Sequence, residues 1–150
     1  MKCDSRLSSV LHAVLHMADH DGPMRSEEIA RCMNTNPVVV RRTMGFLREA
    51  GFVRSQKGHA GGWTISANLA DITLRQLHVA LGEPAVFAIG NRTENPACLV
   101  EQSVNTLIDE TLGEVEALLL ARFASVTLDD LAAEFRQRQA HWRRTNEDSR

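Results

Sequence analysis

The chain has 150 residues, 43% of them apolar, with 17 Lys and Arg against 19 Asp and Glu for a formal net charge of −2. That allows one compact domain, or a small domain with an appendage, and argues against global disorder. No apolar run approaches the ~18 residues of a membrane span and no signal-peptide layout opens the chain, so a cytoplasmic protein is expected; three scattered cysteines without a Cys-x-x-Cys pair argue against a disulfide framework or a zinc knuckle.

Residues 1–20 read as a first helix, because Leu7, Val10, Leu11, Val14, Leu15 and Ala18 recur at spacings of three and four and share one face. Asp21, Gly22 and Pro23 stop it. His12, His16 and His20 form an i, i+4, i+8 ladder along this helix. Neighbours four apart share a face, so such a ladder can bind a metal. With no carboxylate or cysteine evident beside it, the reading taken is a solvated or partly buried face and no metal.

Ser26 reads as the N-cap of a second helix, with Glu27 and Glu28 in the first turn, where negative charge suits the helix dipole. Ile29, Ala30 and Met33 face inward. Asn34, Thr35 and Asn36 make a turn; Asn36 caps a third helix and Pro37 takes its first position, where a missing N–H is harmless. Within that helix Val40, Met44 and Leu47 fall at i, i+4, i+7 and point to the core. Val38, Val39, Arg41, Arg42 and Arg48 then point away from it. Between residues 37 and 58 the charges are Arg41, Arg42, Arg48, Arg54 and Lys57 against Glu49 alone, a basic patch on a mildly acidic chain. Arginine can take guanine O6 and N7 bidentately and valine can meet a thymine methyl, so this is a candidate major-groove surface. The competing reading is a solvated basic face paired with acids elsewhere.

Gly51 ends the third helix in the left-handed region. Two strand-like runs, 52–56 and 63–66, flank a glycine-rich tip. Lys57 and His59 are placed to reach phosphates or a minor groove, and Gly61 to let backbone approach a partner; Trp63 is expected to pack on the core. Neither Gly-x-Gly-x-x-Gly nor a Gly-Lys-Ser/Thr ending is present, so nucleotide binding is discarded. Thr73 and Gln76 form a capping box for a fourth helix whose apolar face is Leu74, Leu77, Val79, Ala80 and Leu81. After a loop with Phe87 and Ile89 as anchors and Cys98 at its end, a long helix begins. Its stripe of Val104, Leu107, Ile108, Leu112, Val115, Leu118 and Leu119 covers about 25 residues, roughly 38 Å. One small winged domain cannot cover that much, so a second copy is the expected partner. Thr127, Asp129 and Asp130 start a last helix whose Leu128, Leu131, Ala132, Phe135 and Trp142 pack back against a dimer.

A short helix, a polar turn, an arginine-bearing helix and a glycine-tipped hairpin make a winged helix-turn-helix in sequence. The runs Ser26-Glu27-Glu28-Ile29-Ala30, Asn34 to Arg42, Leu47 to Val53, Gly58 to Trp63, Asp71-Ile72-Thr73-Leu74, and Cys98 before a long helix resemble the Rrf2 family of transcriptional regulators over most of the chain. The resemblance implies a homodimer with crossed long helices, each recognition helix on one half of a palindromic double-stranded operator, and a sensor in the loop before the long helix. Iron–sulfur members carry three cysteines in that loop, whereas only Cys98 lies between residues 83 and 100 here. A cluster needs about four ligands, so no cofactor is expected.

The fold expected is mainly α with a small β-hairpin wing: a DNA-binding domain at 1–82, a sensor loop at 83–98, dimerisation helices at 99–142 and a frayed tail at 143–150. Candidate DNA contacts are Ser26, Thr35, Asn36, Val38, Val39, Arg41, Arg42, Arg48, Lys57, His59 and Gly61. Cys98 and Cys3 are the candidate sensor thiols, with Cys98 either reactive near a helix N-terminus or an inert hydrophobe; Cys32 reads as a buried filler. No nucleophile–base–acid arrangement marks an enzyme. A redox-responsive dimeric repressor leads, against a regulator gated by an apolar ligand near Phe87 and Ile89, or a winged helix that does not read DNA.

Overall fold

The computed structural model describes residues 5–87, 89–91, 93 and 96–147. Helix α1 (Arg6–Asp19) buries Val10, Ala13, Val14 and Met17 along one face. Helices α2 (Ser26–Cys32) and α3 (Pro37–Glu49) form the helix-turn-helix. Asn36 Oδ1 accepts the backbone N–H groups of Val38 and Val39, each at 3.0 Å, which satisfies two of the donors that a helix start leaves open. Val40, Met44 and Leu47 are fully buried as their spacing requires. At the far end Gly51 adopts φ +82°, and the Phe52 N–H reaches the Leu47 carbonyl at 2.9 Å, a Schellman turn that aims the chain into the wing.

The wing pairs β1 (Val53–Gln56) with β2 (Gly62–Ile65), antiparallel, with Val53 opposite Ile65 and Gln56 opposite Gly62. Met24 adds a third rung through a two-way backbone exchange with Trp63, at 2.8 and 3.0 Å. Gly62 has φ +156°, and a Cβ there would sit 2.5 Å from the Met24 carbonyl oxygen. Only glycine lets these two backbones come together.

Helix α4 (Leu74–Ala80) carries its expected capping box: Thr73 N–H to Gln76 Oε1 at 2.7 Å, and Gln76 N–H to Thr73 Oγ1 at 3.2 Å. Its inward face differs from expectation. Val79 is exposed and His78 is buried, because residue 79 lies about 200° around the helix from the buried Leu77. His78 Nε2 meets the Pro84 carbonyl at 3.0 Å, and its ring lies 6.2 Å from that of Phe123.

Helix α5 (Leu99–Ala124) runs 26 residues but buries only Asn105 among them. Val104, Leu107, Val115 and Leu118 are exposed, Leu118 at 73%, while Ile108, Leu112 and Leu119 are half-buried. The stripe therefore stays largely uncovered within one chain. Helix α6 (Leu128–Glu147) starts where Thr127 and Asp130 cap each other at 2.9 and 3.1 Å. The expected boundary at residue 99 needs correction, because Leu128 and Ala132 are buried and α6 packs on α1. The Leu74 N–H reaches Val126 O at 3.0 Å and the Leu128 N–H reaches Ile72 O at 2.8 Å, so the start of α6 belongs to the winged domain. Helix α6 extends past residue 143 into the expected tail, as far as Glu147. Among the described residues no helix is long and apolar enough to cross a membrane.

Candidate nucleic-acid interface

The outward side of α3 carries Val38, 66% exposed, with Val39, Arg41, Arg42 and Arg48, all open to solvent. Arg41 lies 3.6 Å from Glu27 of α2, both side chains more than half exposed. Such a pair is worth ~0–1 kcal/mol and gives way readily to a phosphate or a base edge. Thr35 is half-buried in the turn, its N–H donating to Ala30 O at 2.9 Å. Asn36 spends its carbonyl oxygen on the α3 cap, which makes it a residue that aims the helix.

Two of the expected contacts are buried, and one expected cap is corrected. Ser26 is not the N-cap; Arg25 is, its backbone N–H accepted by the Glu28 carboxylate at 2.7 Å. Ser26 turns inward, buried, and its hydroxyl accepts the Trp63 indole N–H at 3.0 Å, because a buried tryptophan needs an acceptor for that proton. Gly61 is buried too, its N–H donating to Gly58 O at 3.0 Å, and a side chain there would run into the Gln56 carbonyl. It shapes the turn of the wing. Lys57 and His59 do stand exposed at the tip.

Arg25 had no local signal in the sequence. Its guanidinium donates to the His59 carbonyl at 2.5 Å and ties the tip of the wing to the start of α2. Ser26→Ala is expected to leave the indole N–H without an acceptor and to destabilise the fold by about 1–3 kcal/mol. Urea unfolding followed by circular dichroism checks this, and an unchanged midpoint contradicts the role assigned to the hydroxyl.

The Rrf2 family model, described as an iron-dependent transcriptional regulator, matches residues 3–134. The chain belongs to the Rrf2 family. It is also 32% identical over 128 residues to YwnA of Bacillus subtilis (strain 168), which carries a provisional assignment as an HTH-type transcriptional regulator; the match covers 85% of this chain and 95% of YwnA. A solved structure provisionally described as a DNA-binding protein is 31% identical, with a TM-score of 0.67, over 85% of this chain and 98% of that one. The oxidised form of CymR from Staphylococcus aureus shares the fold at 20% identity and a TM-score of 0.65, over 88% of this chain and 96% of its own. As an Rrf2 protein the chain is a DNA-binding transcriptional regulator and not an enzyme.

The region expected to act as a sensor lies on the first turns of α5 and the loop before it. Cys98 is exposed at the N-cap, and the backbone N–H groups of Glu101 and then Val100 hold its thiol below the ordinary range by favouring thiolate. Three side chains strap the preceding loop to the helix: Asn105 to Thr93 O at 2.7 Å, Gln102 to Pro96 O at 3.0 Å, and Asn91 to Asp109 at 2.9 Å. A groove of about 460 Å³ lies between them, lined by Cys98, Val100, Val104, Ile108 and loop residues including Asn91. Phe87 and Ile89 do not line it, and Ile89 is exposed. Cys32 is exposed at the end of α2, contrary to the expected buried filler, because it lies about 200° around from the buried Ala30. Cys3 lies outside the described residues. Toward an iron–sulfur cluster the loop offers a single thiol, Cys98, against the roughly four protein ligands, mostly thiolates, that a cluster takes.

Proposed function

We propose that this Rrf2 regulator is a homodimeric repressor of a palindromic operator, released when Cys98 is oxidised. The observation that carries the reading is the exposed Cys98 thiol, tuned toward thiolate by the α5 backbone and set beside an uncovered apolar helix face. The exposed α5 stripe supports pairing with a second copy, which places two recognition helices on half-sites about 34–36 Å apart. In the sensing step the Cys98 thiolate attacks a peroxide oxygen; the S–O bond forms as the O–O bond breaks, and hydroxide leaves. The resulting sulfenic acid condenses with a second thiol, for which Cys3 of another copy is the candidate, and water departs. Reaction here disturbs the straps that fix the loop to α5, and two linked reading heads tolerate little change in spacing.

The test is operator binding at one fixed salt, because phosphate contacts make affinity steeply salt-dependent. Binding by the reduced protein is expected to collapse with peroxide and recover with thiol, while Cys98→Ser keeps its affinity throughout. Loss of binding by oxidised Cys98→Ser rules Cys98 out as the switch. Because the thiol is held low, its reaction rate should half-titrate at a pH below that of an ordinary cysteine. The 460 Å³ groove supports a second reading, a small apolar ligand seated against Val100, Val104 and Ile108. That reading gains if operator binding is indifferent to peroxide.

A further inference from the structure

We propose that His12 and His16 form a two-nitrogen chelate for a divalent late transition-metal ion on the outer face of α1. This site is separate from the interface and from Cys98. The rings stack with centroids 4.8 Å apart, and the Nε2 atoms are 2.9 Å apart on the exposed side of the helix. With metal–nitrogen bonds of ~2.0–2.1 Å, that separation subtends an angle of about 90° at the ion, whereas a tetrahedral angle would need roughly 3.3 Å. The bite is that of two neighbouring positions in a square or octahedral arrangement, which suits Cu²⁺ and Ni²⁺ better than Zn²⁺.

The helix below is anchored by Val10, Ala13, Val14 and Met17, so the pair is presented by a rigid turn and little ordering remains for the ion to impose. Without an ion, one ring donates its Nε2–H to the other nitrogen. On binding, both Nε2 lone pairs must face the metal, so the ring that donates in the absence of the ion takes its other tautomer, with the proton on Nδ1. His20, the third rung of the ladder, is engaged elsewhere, its Nδ1 lying 3.2 Å from Gly22 O. Among the described residues no third His, Cys, Asp or Glu joins the pair, so water fills the remaining positions.

The probe is Ni²⁺, titrated calorimetrically into the untagged full chain with Cys3, Cys32 and Cys98 changed to Ser, so that thiols do not compete. One ion per chain is expected, with Zn²⁺ weaker. His12→Ala and His16→Ala should each weaken Ni²⁺ by roughly tenfold or more, as loss of one of two ligands requires. His20→Ala should match the parent. Circular dichroism confirms that each variant keeps its helices. The proposal is overturned by absence of Ni²⁺ binding to the parent, by unchanged affinity in either single variant, by equal loss in His20→Ala, or by a preference for Zn²⁺.

Discussion

Alanine at Arg41 or Arg42 is expected to reduce operator discrimination by ~1–3 kcal/mol each, with thermal stability nearly unchanged. Both side chains lie on the solvent side of α3 and take no part in the buried set of Val40, Met44 and Leu47. A surface change of this kind usually shifts stability by less than about 0.5 kcal/mol. Among the described residues Arg41 gives up its 3.6 Å contact with Glu27, which solvent already screens. The loss should be sequence-dependent: large on the true operator, small on unrelated duplex. Arg48, at the last turn of α3, should behave differently if it meets phosphate. Arg48→Ala would then weaken both duplexes alike and lower the salt slope by about one. Competition binding at fixed salt separates the two patterns, and unchanged affinity in both Arg41→Ala and Arg42→Ala would falsify base reading by α3.

The second large effect belongs to the α5 stripe. Leu107→Asp together with Leu118→Asp is expected to turn a dimer into a folded monomer. The two leucines are 66% and 73% exposed in the single chain, so aspartate there disturbs little within the chain itself. Buried between two copies, the same carboxylates would be desolvated and unpaired, which costs several kcal/mol. Operator affinity should fall by roughly 10²–10⁴-fold, since two linked reading heads would become two independent ones. Sedimentation gives the answer directly. If the unsubstituted chain sediments at 16.7 kDa at micromolar concentration, the pairing proposal is lost.

Features set by neighbours in sequence were legible from the residues. Asn36 before Pro37, the i, i+4, i+7 spacing of Val40, Met44 and Leu47, the left-handed Gly51 and the Thr73–Gln76 box all lie within one or two turns of what they control. Features set by distant contacts were not. Ser26 has the composition of an N-cap, and only the approach of Trp63, 37 residues on, turns it inward. Glycines in the wing suit a partner's approach as well as they suit Met24, and the choice depends on a third rung that no local periodicity encodes. Arg25 looks like any solvated arginine until the hairpin folds over and brings the His59 carbonyl to it. The start of α6 entered the winged domain through backbone bonds to Ile72 and Leu74, which leave no trace in hydrophobic pattern.

Those same bonds give α5 a mechanical character. Its first turn is strapped to the loop leaving α4, and its last turn feeds Val126 and Leu128 back to the residues that begin α4. The rod is thus held at its far end by the winged domain and at its near end by the loop that leads into it. On the proposed reading, oxidation at Cys98 would act on the rod through these straps, so a tilt of α5 is the displacement to look for in the oxidised protein.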